Sequence, residues 1–214
     1  MSKIVRVGIG GGIGCGKTEL IEKLVPRFNR LGFKTGVILN EVYSKEDARR
    51  VAITLGGKID PNMILGVETG GCPHIAVRDD PSMNIEAVEK LEKESPDLDL
   101  VLIESGGDNI TLTFSPELAD FFIYMVDVAS GDKTIRKGGL GLREADLLII
   151  NKIDLAAYVE TTIPESEVKT ANLDLMMEDA QKIRFDKPTV LASLRKEIGL
   201  DEIVKIIREK ALLK

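Results

Sequence analysis

The strongest constraint on the fold is a glycine-rich segment near the start of the chain. Residues 11–18 read GGIGCGKT and match the pattern G-x-x-x-x-G-K-T. They follow the apolar run Ile4–Ile9 and open a stretch of helical spacing, Lys17–Leu31. A strand that leads through such a loop into a helix is the setting in which this pattern binds nucleotide phosphates. We therefore expect a P-loop nucleotide-binding fold.

Each part of this loop has a predicted role. Glycines let the backbone wrap closely around phosphates, and the helix start adds free N–H donors. The backbone positions assigned to nucleotide binding are Gly11, Gly12, Gly14, Cys15 and Gly16. Lys17 is expected to reach the β- and γ-phosphates and the Thr18 hydroxyl to bind Mg²⁺, so both are assigned to nucleotide binding and catalysis. The side chain of Cys15 is interpreted as a small group that faces the nucleotide, with a redox thiol as the alternative.

Apolar runs rich in β-branched residues alternate with segments of helical spacing. The runs are Ile4–Ile9, Thr35–Leu39, Ile64–Val67, Leu98–Ile103, Phe121–Val126, Leu147–Ile150 and Thr189–Leu191. Solidly apolar runs are typical of strands buried on both faces, and their alternation with helices predicts a mostly parallel sheet. We expect an α/β, three-layer P-loop NTPase fold with a central sheet of about seven strands flanked by helices. Residues 1–214 are predicted to form a single domain.

The remaining helical segments show the same periodicity, but two places conflict with it. Besides Lys17–Leu31, helices are predicted at Asn84–Glu94, Leu175–Ile183 and Asp201–Leu213. Pro26 lies inside the first of them, where we expect it to kink the helix or end it early. Residues 159–174 are polar and irregular and predict an exposed insert.

A second nucleotide motif follows the run Leu147–Ile150. Asn151, Lys152 and Asp154 form an N-K-x-D sequence like the guanine-specificity motif of GTPases. An aspartate carboxylate accepts from the guanine N1–H and exocyclic amine together, a donor pair that adenine lacks. Asn151 and Lys152 are expected to brace the loop and pack on the base. A plain turn is the alternative for such a tetrapeptide taken alone.

The segment GVETGGCPH (66–74) holds the candidate metal ligands Cys72 and His74. A thiolate and an imidazole held close together by a proline suit nickel, zinc or copper. One chain supplies two such ligands, and a two-fold dimer would complete a four-ligand site. An incidental loop is the alternative when the residues are taken alone.

Composition narrows the function classes. The chain of 214 residues carries 29 basic and 35 acidic side chains, a net charge of −6, which argues against a broad nucleic-acid surface. Its apolar runs fall short of the ~20 residues of a membrane helix, so no membrane partner is expected. The chain has 2 cysteines, too few for a disulfide scaffold, and its sequence shows no signal-peptide pattern. We expect a cytoplasmic protein.

Several blocks together resemble the urease accessory protein UreG family of nickel-inserting SIMIBI-class GTPases. The blocks are VGIGGGIGCGKTEL (7–20), YSKEDA (43–48), GVETGGCPH (66–74), PSMN (81–84), ESGGDN (104–109), TFSPELAD (113–120), RKGG (136–139) and NKIDLA (151–156). This resemblance covers nearly the whole chain.

The resemblance implies a GTPase that uses GTP and Mg²⁺ and carries Ni²⁺ as cargo. It implies that Cys72 and His74 of two subunits bind one Ni²⁺ in a homodimer formed with GTP and metal, although Zn²⁺ suits the same ligands. It places Mg²⁺-linked carboxylates at Glu41 and Glu68, with Glu104 a further candidate. Partners would be other accessory proteins of nickel-enzyme maturation and the client apoenzyme, urease above all. No glutamine or histidine is evident to orient the attacking water, so hydrolysis without partners is expected to be slow.

The residues taken by themselves are also compatible with three other functions. The chain could serve another nickel enzyme such as hydrogenase, act as a P-loop kinase on a small molecule, or be a non-catalytic adaptor. Departures from the family pattern bear on the client: Cys15 replaces a usual Ser, Gly12 a usual Pro, and Glu41 a usual Asp.

Overall fold

A twisted parallel sheet forms the centre of the molecule. The computed structural model describes residues 4–41, 46–69, 75–107, 111–131, 133–159 and 171–212, with the backbone alone at 41, 46 and 47. The strands are β1 (Val5–Gly11), β2 (Thr35–Glu41), β3 (Ile64–Glu68), β4 (Leu100–Glu104), β5 (Phe121–Asp127), β6 (Leu147–Asn151) and β7 (Thr189–Leu191). Their order is β3-β2-β4-β1-β5-β6-β7, and every neighbouring pair is parallel. The predicted α/β fold is confirmed.

Helices cover both faces of the sheet. They are α1 (Lys17–Arg30), α2 (Glu46–Thr54), α3 (Ser82–Glu94), α4 (Lys133–Lys137), α5 (Leu140–Glu144), α6 (Leu173–Arg184) and α7 (Leu200–Ile207). Alternate strand residues enter two hydrophobic cores, one shared with α1, α2 and α7 and the other with α3 to α6. This accounts for the solidly apolar runs, since both faces of each strand are buried.

Strand β1 is central and unusually rich in glycine. A Cβ at Gly8 would lie 2.7 Å from the ring of Phe114, so segment 111–119 packs directly on the strand backbone. The absence of a side chain on that face lets the chain cross close to the sheet, next to the nucleotide loop.

Of the two effects predicted for Pro26, an early end of the helix is contradicted. Helix α1 continues through Pro26 to Arg30. A proline inside a helix costs about 3 kcal/mol because a hydrogen bond is lost and its ring crowds the preceding turn. Five apolar residues of the helix are fully buried, which offsets that cost by packing. They are Leu20, Ile21, Leu24, Val25 and Phe28.

The predicted insert is shorter than expected at its C-terminal end. Residues 160–170 lie outside the described part of the chain. Val159 and Ala171 flank them, and the Ala171 N–H donates to the Val159 carbonyl at 2.7 Å. Ala171 is buried, and the Asn172 side chain caps α6, accepting from the Leu175 N–H at 3.0 Å.

Two further points concern helices. The last predicted helix ends its α-helical part at Ile207 and continues as a wider π turn over Arg208–Leu212. Within the residues described, no helix combines the length and apolarity needed to cross a bilayer.

Candidate functional site

Polar residues gather at one edge of the sheet because the strands are parallel. Each of six strands ends on a residue with functional potential: Gly11, Glu41, Glu68, Glu104, Asp127 and Asn151. The carboxyl ends of parallel strands are where α/β sheets bind ligands. Strand β1 lies near the middle, with β4 on one side and β5 on the other.

The phosphate loop is held by close backbone contacts. Gly11 has a φ of 144°, and a Cβ there would overlap the carbonyl oxygen of Met125 on β5. Glycine is therefore required at the point where β1 turns into the loop. The predicted strand, loop and helix α1 follow one another as the phosphate-binding pattern demands.

Lys17 and Thr18 lie at the first turn of α1 with defined partners. Lys17 is 5% exposed, and its Nζ donates to the carbonyls of Gly11 at 2.9 Å and Gly12 at 3.1 Å. Its ammonium is thus held within the loop that would surround a phosphate. The Thr18 hydroxyl donates to Oε1 of Glu104 at 2.8 Å.

The three candidate magnesium carboxylates are not equivalent in position. Glu104 ends β4, the direct neighbour of β1, and contacts Thr18. Glu68 ends the edge strand β3 and is exposed, and it lies opposite Glu41 of β2 in the strand register. The structure therefore brings Glu104 to Thr18, while Glu68 lies three strands from β1.

Cys15 does not face the nucleotide side of the loop, contrary to prediction. The side chain is 2% exposed and belongs to the hydrophobic core beneath α1. Burial raises the pKa of its thiol, which disfavours a reactive thiolate. What Cys15 offers toward the ligand is its backbone.

Asn151 joins the base-reading loop to the phosphate loop. Its Nδ2 donates to the Cys15 carbonyl at 2.9 Å, and its Oδ1 accepts from the Leu194 N–H at 3.2 Å. Asn151 is 1% exposed. The expected bracing role of this side chain agrees with these contacts.

Asp154 is prepared as a hydrogen-bond acceptor. Its Oδ1 accepts from the Ser193 hydroxyl at 2.7 Å, and Lys196 lies 3.7 Å from Oδ2. The Ser193 hydrogen bond above all, with smaller contributions from a backbone hydrogen bond and then the charge of Lys196, holds the pKa of the Asp154 carboxyl below its ordinary value. The carboxylate is therefore ionised at neutral pH and can accept hydrogen bonds from a ligand.

Asp127 is a site residue that the sequence reasoning missed. It is 6% exposed, and its Oδ2 pairs with Lys152 Nζ at 2.7 Å. The same Nζ donates to the Gly14 carbonyl at 2.6 Å. Lys152 itself has a φ of 62°, so this ion pair holds a left-handed turn in place. A polar residue that ends an otherwise apolar strand was the available signal.

The predicted nickel ligands Cys72 and His74 lie outside the described residues, which resume at Ile75. Within the ranges the structure describes, no cluster of three or more His, Cys, Asp or Glu side chains could hold a metal. Downstream, Asp80 accepts from the N–H of Ser82, the first residue of helix α3, at 3.2 Å.

Comparison with known proteins decides the family. The profile of the CobW/HypB/UreG nucleotide-binding domain matches residues 5–179, from β1 into α6. The chain belongs to the CobW/HypB/UreG family.

UreG relatives match almost the full length of this family member. The urease accessory protein UreG of Edwardsiella ictaluri is 52% identical over 207 residues, covering 97% of this chain and 94% of that protein. UreG of Yersinia enterocolitica is 52% identical, with 96% and 88% covered. UreG 2 of Methylorubrum extorquens is 50% identical, with 99% and 94% covered.

Solved HypB structures share the fold. The hydrogenase maturation factor HypB from Archaeoglobus fulgidus superposes with a TM-score of 0.75 at 30% identity, covering 96% of this chain and 89% of that one. HypB from Helicobacter pylori, crystallised in complex with nickel, gives 0.77 at 22% identity, with 97% and 86% covered. The family supports nucleotide binding and hydrolysis at the loop that ends β1.

Proposed function

We propose that this chain is a GTP-hydrolysing nickel metallochaperone that delivers Ni²⁺ during urease maturation in the cytoplasm. The observation that carries the proposal is 52% identity to a urease accessory protein over 97% of the chain. Identity to the HypB structure is 30%, so hydrogenase maturation is the weaker alternative.

Guanine specificity is supported by the loop that follows β6. The ionised carboxylate of Asp154 accepts from the guanine N1–H and amine, while Ser193 fixes its orientation. Adenine lacks the donor pair and would leave the partly buried Asp154 carboxylate unpaired, which is a basis for discrimination. Asn151 and Lys152 hold the loop against the phosphate loop.

The chain offers suitable ligands for Mg²⁺. Thr18 and Glu104 present a hydroxyl and a carboxylate 2.8 Å apart beside the phosphate loop, and hard oxygen donors are what Mg²⁺ prefers. Thr18 and Glu104 would hold the ion, which would neutralise negative charge on the β- and γ-phosphates. Lys17 adds a buried positive charge at the same phosphates. Glu41, at the end of β2, and Glu68, at the end of β3, are proposed as further Mg²⁺-linked carboxylates.

Hydrolysis consumes one water for each GTP. The water oxygen attacks the γ-phosphorus, the bond to the β–γ bridging oxygen breaks, and GDP, phosphate and a proton leave. With the β- and γ-phosphates held by Lys17 and the loop amides, positioning supplies most of the catalysis. Turnover is slow until a second subunit or a partner orders the attacking water.

Nickel is the cargo, held by Cys72 and His74 of two subunits in a GTP-dependent homodimer. Two thiolates and two imidazoles suit square-planar nickel. Loss of the γ-phosphate loosens the dimer and releases the metal toward accessory proteins and the client apoenzyme.

Reconstitution of apo-urease tests the proposal. Purified chain, Mg²⁺–GTP, Ni²⁺ and the other accessory proteins should activate urease, and Cys72→Ala should abolish activation while it retains GDP affinity. Competition with ATP should leave GTP turnover unchanged, and the γ-phosphate should appear as free phosphate. Transfer to a small molecule would indicate a kinase, absent turnover an adaptor, and activation of apo-hydrogenase alone the other nickel client.

A further inference from the structure

A reciprocal pair of side-chain amides is buried between β2 and α3. Asn40 is 5% exposed and Asn84 is fully buried. Nδ2 of Asn40 donates to Oδ1 of Asn84 at 3.0 Å, and Nδ2 of Asn84 donates to Oδ1 of Asn40 at 2.8 Å. Two fully desolvated amides are costly to bury unless they are paired in this way.

Each amide uses its second N–H on the backbone of another element. Asn40 donates to the Glu104 carbonyl at 2.8 Å, at the end of β4. Asn84 donates to the Ala76 carbonyl at 2.7 Å, in the turn Ile75–Asp79. The pair therefore connects β2, β4, α3 and this turn, and each side-chain amide donates two hydrogen bonds. We call these two residues the amide clasp.

One end of the amide clasp lies beside the proposed nucleotide site, and the other end is close in sequence to the proposed nickel ligands. On one side, Glu104 also accepts from Thr18 of the phosphate loop. Asn40 directly precedes Glu41, one of the proposed magnesium carboxylates. On the other side, Ala76 is two residues after the nickel ligand His74. A single hydrogen-bonded network thus runs from Thr18 and Glu104, at the proposed nucleotide site, to Ala76, two residues after His74 in sequence.

Such a network transmits displacement because its two asparagine side chains are almost completely buried, so that water does not readily replace a broken bond between them. A shift of β2 or β4 on nucleotide exchange would strand a buried donor or acceptor unless the Ala76 carbonyl moved with it. We infer that Asn40 and Asn84 are positioning residues that couple the nucleotide state to nickel affinity. This inference rests on the proposed function.

The coupling is measurable as a ratio of two nickel dissociation constants, one with Mg²⁺–GDP and one with a non-hydrolysable Mg²⁺–GTP analogue. The wild-type ratio should fall in the range of about 5–150 that allosteric couplings span, and Asn84→Ala should reduce it to less than about 3. By reciprocity, the effect of Ni²⁺ on analogue affinity should shrink by the same factor, which simple destabilisation does not require.

Two further variants sharpen the test. Asn84→Asp keeps the shape and the acceptor for the Asn40 Nδ2. When ionised, it removes the donors to the Ala76 carbonyl and to Asn40 Oδ1, so it should also uncouple the sites. Thr35→Val is the matched control. Thr35 is buried at the other end of β2, and its hydroxyl donates to Oδ1 of Asn29 at 2.7 Å, a hydrogen bond that the substitution removes. It should keep the wild-type ratio.

The outcomes separate the inference from the proposed function. A folded Asn84→Ala protein with the wild-type ratio would overturn the inference alone. A wild-type protein that binds no Ni²⁺ would overturn both. If the variants do not fold, the wild-type side-chain amide NMR signals of Asn40 and Asn84 decide the matter. They should shift both on exchange of GDP for the analogue and on addition of Ni²⁺, and unchanged signals would overturn the inference.

Discussion

Asn151 and Cys15 are 136 residues apart in sequence and are joined by a hydrogen bond of 2.9 Å from the side-chain amide to the backbone carbonyl. This contact links the loop proposed to read the base to the loop proposed to hold the phosphates. Because Asn151 also accepts from the Leu194 N–H, three segments of the nucleotide site share one buried side chain.

Asn151→Ala should weaken GDP and GTP binding together. The substitution leaves a buried carbonyl and a buried N–H without their partner, at a cost of about 1–3 kcal/mol, or roughly 5–150-fold in the dissociation constant. Calorimetric titration with each nucleotide would measure the loss. Asn29→Ala, which removes a side-chain bond to Lys58 at the far end of α1, should leave both affinities unchanged. Equal losses in the two variants would refute the bridging role.

Ser193→Ala should make guanine binding more sensitive to acid. The Ser193 hydrogen bond holds the pKa of Asp154 below its ordinary value, so in the wild type the required carboxylate persists as the pH falls and is lost only at that lowered pKa. Without the hydroxyl the pKa rises, and GDP affinity should decline at a higher pH. Titration with fluorescent GDP from about pH 7 to about pH 4 would show the shift. Ser95→Ala, which loses a bond to Asp97, is the control and should follow the wild-type curve.

Asp127→Asn should lower GTP affinity about tenfold, or about 1.4 kcal/mol, and reduce the preference for GTP over ATP. Lys152 would lose its ion pair and hold its left-handed turn less firmly. Competition binding with the two nucleotides gives both quantities. Asp179→Asn offers a comparison at a similarly buried carboxylate paired with Arg136 at 2.9 Å. Unaltered selectivity in Asp127→Asn would show that Asp127 only supports the fold.

The thiol of Cys15 should react slowly while the protein is folded. In a Cys72→Ala background Cys15 is the sole cysteine, and burial both shields its sulfur and raises its pKa. A thiol reagent at about pH 8 should label it far more slowly than a free cysteine. Unfolding in denaturant should restore fast labelling. Rapid reaction in the native state would revive the redox interpretation.

The positions of the strands could be predicted from the sequence because their apolar runs are unbroken. Burial on both faces leaves no polar residue inside β5 or β6 until the last position, so Asp127 and Asn151 mark the site edge. The N-K-x-D pattern at β6 was recognised because its spacing is local. Asp127 was missed because its partner Lys152 is 25 residues away.

Other features depend on tertiary packing that a sequence pattern does not contain. Helix α1 tolerates Pro26 because its apolar face is buried along its length. Helices α4 and α5 have five residues each, too few to show a period. The amide clasp joins positions 44 residues apart, and neither asparagine carries a local motif that predicts the other.

The molecular mass of the protein in solution shows whether GTP and nickel together produce a dimer. The protein would be measured with Mg²⁺ and a non-hydrolysable GTP analogue, with and without one Ni²⁺ per two chains, beside Cys72→Ala as the control. The proposed nickel switch requires a dimer that forms only with both ligands, shows square-planar nickel–thiolate absorption and is lost in the variant. A monomer under every condition, or a dimer indifferent to nickel and to Cys72, would contradict it.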